Sequence, residues 1–267
     1  MRSLETLMSL HGRVALITGG AGQLGRAMGE ALAEAGAAIA VVDIDADGAR
    51  AVAERLHVDH GVPTLPLVVD LTDDDEVRAV PRIVVDRLGR MDILVNNAAL
   101  TGTPELKGWV TPFAEQSADT WRLALGTNLT APFVLTHACR EALTASGHGS
   151  IVNIGSIYGM VGPDMNLYTG TAMGNPAAYA ASKGGLLQLT RWLATVLAPE
   201  VRANAITVGG VWCNQPASFH ERYIARTPLG RMATEEDLKG AIVYLASDLS
   251  GYVTGHNLVV DGGWTAW

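Results

Sequence analysis

The chain has 267 residues, 48% apolar and 17% charged, with a formal net charge of −8. That length and balance suit one large folded domain with a full core and are at odds with disorder. At a pI near 5.3 there is no basic stripe to neutralise phosphates, so no nucleic-acid partner is expected.

Short β-rich apolar runs alternate with helical patterns along the chain. Arg13–Thr18 (RVALIT) is the first predicted strand, followed by a glycine-rich turn and a helix over Gln23–Ala35 that stops at Gly36, where a C′ glycine belongs. Ala37–Asp43 is a second strand, Ala46–Asp59 a second helix and Leu65–Val69 a third strand. The helix Asp73–Leu88 opens on DDDE, acidic residues suited to the positive end of its dipole. Met91–Val95, Ser150–Ile154, Val201–Thr207 and Asn257–Val260 are strands four to seven, separated by long helices over Ala118–Ala145, Pro176–Leu197 and Thr234–Ala246. This alternation predicts an α/β fold with a seven-stranded parallel sheet covered by helices on both faces. Right-handed crossovers make it a doubly wound Rossmann arrangement, with residues 1–267 as a single domain.

Gly20-x-Gly22-x-x-Gly25 lies between the first strand and the first helix, where a dinucleotide site requires it. The glycines permit a tight turn, and the helix N-terminus presents unpaired N–H groups to a pyrophosphate. Asp43 ends the second strand, 18 residues past Gly25, where a carboxylate can accept both ribose hydroxyls. The same charge repels a 2′-phosphate, and the following Ile44 and Asp45 offer no cation, so NAD is the expected cofactor.

Tyr179 and Lys183 stand four residues apart on a predicted helix and therefore share one face. A free tyrosine, with a pKa of about 10, is a poor base near neutrality; a neighbouring cation favours the phenolate. A fall of roughly three units needs about 4 kcal/mol, which a lysine together with a cationic cofactor can supply.

Taken together, these features resemble the classical short-chain dehydrogenase/reductase family over nearly the whole chain. The Thr-Gly-x-x-x-Gly-x-Gly motif lands on Thr18–Gly25, with Gln23 in place of the middle glycine and Gly22 one position earlier. The resemblance makes Gly19, Gly22, Gln23, Leu24, Gly25, Asp43 and Ile44 cofactor contacts. It adds the adenine-side pair Asp70-Leu71 and Asn96, Asn97 and Ala98 of NNAA after strand four. Gly210 and Val211 after strand six complete the set, with Gly209-Gly210 replacing the usual Pro-Gly and Asn214 standing at a customary threonine. It implies Ser156, Tyr179, Lys183 and Asn128 as the catalytic set: Ser156 orients the substrate oxygen, and Tyr179 is the general acid/base. Lys183 lowers the tyrosine pKa and holds the nicotinamide ribose, while Asn128 helps hold a relay water. The implied reaction interconverts a secondary alcohol and a ketone, and the implied assembly is a homotetramer.

Ser156 and Tyr179 are 23 residues apart, longer than is usual for the family. The extra length, 159–175, is read either as a substrate wall or as a subunit contact, and 209–230 as a mobile substrate flap carrying Trp212, Gln215, Phe219, His220 and Tyr223. With the DGGWTAW tail, this loop resembles the subgroup acting on sugars or sugar-derived acids. A reductase of apolar or acyl-linked ketones is the competing enzyme, and a catalytically silent dinucleotide sensor the competing class. Cys139 and Cys213 read as free thiols, and the scattered histidines form no metal site. Segment 1–13 lacks the apolar stretch of a signal peptide and no apolar run reaches membrane length. A cytoplasmic protein without a membrane partner is the expectation.

Overall fold

The fold is described from a computed structural model, which covers residues 1–102 and 106–267. The strands are β1 (Val14–Thr18), β2 (Ala38–Asp43), β3 (Thr64–Val68), β4 (Ile93–Asn96), β5 (Gly149–Ser156), β6 (Val201–Val208) and β7 (Asn257–Val260). They form a seven-stranded sheet in the order β3-β2-β1-β4-β5-β6-β7, parallel throughout. The order reverses between β1 and β4, which opens a crevice at the carboxyl ends of those strands.

Alternation along each strand builds two cores. Ala15 and Ile17 of β1 with Ile39 and Val41 of β2 face one side, against α2 (Gln23–Glu34), α3 (Ala46–His60) and α9 (Lys239–Ala246). Val14 and Leu16 with Ala38, Ala40 and Val42 face the other, against α4 (Asp74–Leu88), α6 (Ala131–Ser146) and α7 (Ala177–Val196). Apolar residues on both faces are what a covered parallel sheet demands. Pro66 in β3 removes a ladder donor, which is tolerated because β3 is an edge strand.

The strand starts are tied by one buried carboxylate. Asp92 is fully buried; it accepts from the Val14 N–H at 2.9 Å and from Arg90 Nε and Nη2 at 2.9 and 2.6 Å. Its backbone bonds Val14 O and the Ser150 N–H, so one residue registers β1, β4 and β5.

Three departures from the sequence reading have local causes. The expected Ala118–Ala145 helix is divided into α5 (Ala118–Leu125) and α6 by a π-turn over Gly126–Thr130. Pro132 in the first turn of α6 has no N–H, so the regular i→i−4 ladder fails there. The expected flap contains a helix, α8 (Ala217–Ala225), which buries Phe219 and Tyr223 one turn apart. A short helix, α1 (Leu4–Met8), capped by Ser3, precedes β1. Among the described residues no helix is long and apolar enough to cross a membrane.

Truncating Asp92 strands a buried backbone donor as well as an ion-pair partner. Asp92→Ala is expected to lower the unfolding free energy by about 2–4 kcal/mol, read by urea denaturation; a loss within about 0.5 kcal/mol would refute its structural role.

Candidate active site

The crevice at the strand ends holds a cavity of about 970 Å³. One end is formed by the turn after β1. Gly19 has φ +62°, and a Cβ there would lie 2.8 Å from Ala98 Cα; one on Gly25 would lie 2.1 Å from Gly19 O. Only glycine permits this closeness, and the turn leaves the first N–H groups of α2 without intrahelical partners. Gly22 is the N-cap and no side chain caps it. This backbone cradle fits a pyrophosphate.

Gly19, Gly22, Gln23, Leu24, Asp43, Ile44, Asp70, Leu71, Asn97, Ala98, Gly210 and Val211 line the cavity, as do Ser156, Tyr179 and Lys183. Asp43 is held in place by accepting from the N–H groups of Ala21 at 2.9 Å and Asp45 at 3.1 Å. The Asp70 carboxylate accepts from Thr72 N–H and Oγ1 at 2.8 and 2.7 Å, bonds that lower its pKa. Asn97 staples the turn to β4 by donating to the carbonyls of Thr18 and Gly19 at 2.9 and 3.0 Å.

Two residues grouped with the cofactor contacts lie off the cavity wall. Gly25 acts by making room, as its 2.1 Å approach shows. Asn96 turns into the core instead: its amide donates to Asn153 Oδ1 at 2.8 Å, and Asn153 donates to Thr190 Oγ1 at 2.8 Å. This buried polar ladder runs from β4 through β5 to α7, the helix that carries Tyr179. The chemistry that distinguishes Asn96 from Asn97 is strand alternation, which sends neighbouring side chains to opposite sides.

At the centre, Lys183 is 3% exposed and donates to Ile154 O at 2.8 Å. Its Nζ lies 5.9 Å from the centre of the Tyr179 ring. Burial pushes the Tyr179 phenol up, while its hydrogen bond with Ser156 pulls it down. Of these two effects on the phenol, desolvation is the larger. Asn128 is fully buried in the π-turn, with its amide engaged by Leu100 N–H and O and by Ser182 Oγ at 2.6, 3.2 and 3.1 Å. Both of its amide protons are donated. Its carbonyl lies four residues before Pro132, which has no N–H to return to it.

The other end of the cavity joins residues of the expected loop and flap to Tyr158, to which the sequence reading gave no role. Tyr158, on the turn after β5, joins Tyr168, Met173 and Asn175 from the long loop and Gln215, Phe219 and Tyr223 from the flap. Trp212 and His220 are absent from the wall and stack edge-to-face on each other at 4.7 Å. Asn214 has φ +62° and is also off the wall. Gln23 donates to Trp212 O at 2.9 Å and Glu235 Oε1 at 2.7 Å, joining the nucleotide turn to the flap. Among the described residues, the one grouping of metal-ligand type is Glu30, Glu34 and His60, where Glu34 pairs with Lys239 at 2.6 Å.

Desolvation pulls the Lys183 ammonium down to about 8 from 10.5. At about 1.4 kcal/mol per unit, holding this charge inside opposes folding by about 3 kcal/mol while both states remain protonated. Between those two pH values the unfolded chain keeps the proton that the folded chain has lost, so stability rises with pH there. The unfolding free energy of wild type, measured relative to Lys183→Met, is expected to climb from about pH 8 to pH 10. A constant difference between the two proteins across that range would contradict the buried-ammonium account.

Residues 19–265 match the family model described as Enoyl-(Acyl carrier protein) reductase. The chain is 38% identical over 260 residues to the cis-4-hydroxycyclohexanecarboxylate dehydrogenase of Sinomonas cyclohexanicum, covering 95% of this chain and 97% of that protein. It is 32% identical to the 3-oxoacyl-(acyl-carrier-protein) reductase FabG of Thermotoga maritima, covering 96% and 99%. The crystal structure of a gluconate 5-dehydrogenase from Burkholderia cenocepacia, in complex with NADP and tartrate, superposes with a TM-score of 0.87 at 32% identity, covering 99% and 100%. With the seven-stranded order and the glycine turn in place, these matches along nearly the full length show that the chain belongs to the classical short-chain dehydrogenase/reductase family.

Proposed function

We propose that the protein is an NAD(H)-dependent oxidoreductase that interconverts a secondary alcohol and a ketone, with Ser156, Tyr179 and Lys183 as its working side chains. The observation that carries this reading is that all three face one cavity whose far end is the glycine turn and Asp43. A nicotinamide dinucleotide bound along that cavity supplies the hydride donor or acceptor.

Tyr179 Oη exchanges the proton of the substrate oxygen, and Ser156 Oγ orients that oxygen by a second hydrogen bond. The Tyr179 phenol, pushed up by burial, becomes a base once positive charge gathers beside it. Lys183 provides one such charge and has three N–H donors, one of them given to Ile154 O. The other two are free for ribose hydroxyls. The Asn128 carbonyl, lacking its regular helical donor, is suited to accept from a water that relays the proton outward.

Asp43 supports NAD over NADP, because a fixed carboxylate accepts from ribose hydroxyls and repels a 2′-phosphate. The Burkholderia structure, of the same fold, is in complex with NADP, so the preference for NAD rests on Asp43 and not on the fold. For the substrate we favour a hydroxylated, sugar-sized alcohol. The aromatic wall of Tyr158, Tyr168, Phe219 and Tyr223 also favours a carbocyclic alcohol, the class named for the Sinomonas relative.

Tyr179→Phe is expected to lower turnover by about 10²–10⁴-fold while NADH, followed by its fluorescence, still binds; substantial residual turnover would sink the assignment. Asp43→Ala is expected to lower the NAD:NADP ratio of kcat/KM by about 10–100-fold. A wild-type protein that already works better with NADP would overturn the reading of Asp43.

A further inference from the structure

Among the described residues, the substrate end of the cavity is aromatic and carries no charged side chain beyond Lys183. Around the whole cavity the charged residues among those described are Asp43, Asp70 and Lys183. The first two stand at the nucleotide end, and Lys183 is bonded to Ile154 O beside Tyr179. A charged group on the substrate would thus lose water without meeting a countercharge among the described residues, which is unfavourable. Names of similar proteins include a cyclohexanecarboxylate and a gluconate enzyme, so this wall departs from what a carboxylate would need.

The rings of this wall support one another, Tyr168 and Phe219 at 5.4 Å and Phe219 and Tyr223 at 5.7 Å, and the buried Trp264 backs Tyr223 at 6.0 Å. Their hydroxyl groups are not equivalent. Tyr223 accepts from the Gly210 N–H and so fixes the strand-six end. Tyr168 donates its one proton to Tyr158 Oη at 2.8 Å. Tyr158 is thus an acceptor in that bond, and its own proton remains to be donated. It follows Ser156 by two residues on the same turn, and it lines the same cavity as Tyr179. Burial pushes the Tyr158 phenol up, so it stays a donor throughout the working pH range.

We infer that Tyr158, oriented by Tyr168, is a specificity-determining hydrogen-bond donor to a second oxygen on an uncharged substrate, next to the carbon that is oxidised or reduced. This rests on the alcohol–ketone reading above and deepens it. The substrate class is a neutral ring or sugar-sized diol, or the corresponding hydroxyketone. A carboxylate-bearing alcohol is disfavoured by the lack of a cation. Tyr168 comes from the long 159–175 loop, so that loop acts on the substrate through Tyr158 rather than by a charge of its own.

The test compares cyclohexane-1,2-diol, cyclohexanol and cis-4-hydroxycyclohexanecarboxylate as probes, with NAD, in wild type, Tyr158→Phe and Tyr168→Phe. The same three compounds are assayed by thermal shift against the NADH complex of Tyr179→Phe, which reads binding without turnover. The diol is expected to have the highest kcat/KM and the carboxylate the lowest. Tyr158→Phe should lower the diol:cyclohexanol ratio about tenfold, a ratio that a merely structural role would leave unmoved, and Tyr168→Phe should lower it in the same direction. The thermal shifts should follow the same order. Preference for the carboxylate, a ratio unmoved by either substitution, or no binding of either neutral compound would overturn the inference. Loss of turnover with the binding order intact would remove the alcohol–ketone reading and leave the wall assignment standing.

Discussion

A buried ammonium on a backbone carbonyl organises the centre of this protein. Lys183 has no carboxylate partner among the described residues; its contact is Ile154 O on β5, and α7 must lie close against that strand to make it. Two further features hold the helix there. The ladder Asn96–Asn153–Thr190 crosses from sheet to helix, and a Cβ on Gly159 would come within 2.7 Å of the Lys183 backbone. Once α7 is fixed, Tyr179 lies one turn before Lys183 and faces Ser156 at the end of β5. The burial that fixes the lysine also makes it costly. The fold therefore carries a local instability at the proposed catalytic centre, a frequent companion of activity.

The mouth of the cavity is fastened from several sides. Arg222 on α8 donates to the carbonyls of Asn166, Leu167 and Thr169 at 3.3, 2.9 and 2.7 Å, and Arg226 pairs with Asp164. These contacts join the long loop to the flap helix, so the two segments form one cover. Gln23 joins the flap to the nucleotide turn. A position where glycine is customary in the family thus carries a side chain that bridges both ends of the site. Enclosure matters to the chemistry: hydrogen bonds and charges act more strongly where water is excluded.

Much of the nucleotide end was legible because it depends on backbone. A glycine needed for a 2.1 Å approach, an acid at a strand end and unpaired N–H groups at a helix start are all properties of short, contiguous segments. The Tyr179–Lys183 pair was legible for the same reason, since helical periodicity alone sets its geometry. The π-turn was also written locally, in Pro132, but its effect on Asn128 emerges only when the broken ladder is followed four residues back. Asn96 and Asn97 are neighbours in sequence with opposite surroundings, and the pleat separates them.

What the sequence by itself determined is the alternation of strands and helices, the sheet type, the glycine cradle and the spacing of Ser156, Tyr179 and Lys183. Each follows from interactions between residues near one another along the chain, or from the two periodicities of helix and strand. Only the tertiary structure decided that Lys183 is buried on a carbonyl, that Tyr168 donates to Tyr158, and that Arg222 and Arg226 fasten loop to flap. These contacts join residues from separate segments, and their strength comes from desolvation, which exists only after the sheet and helices have closed around them.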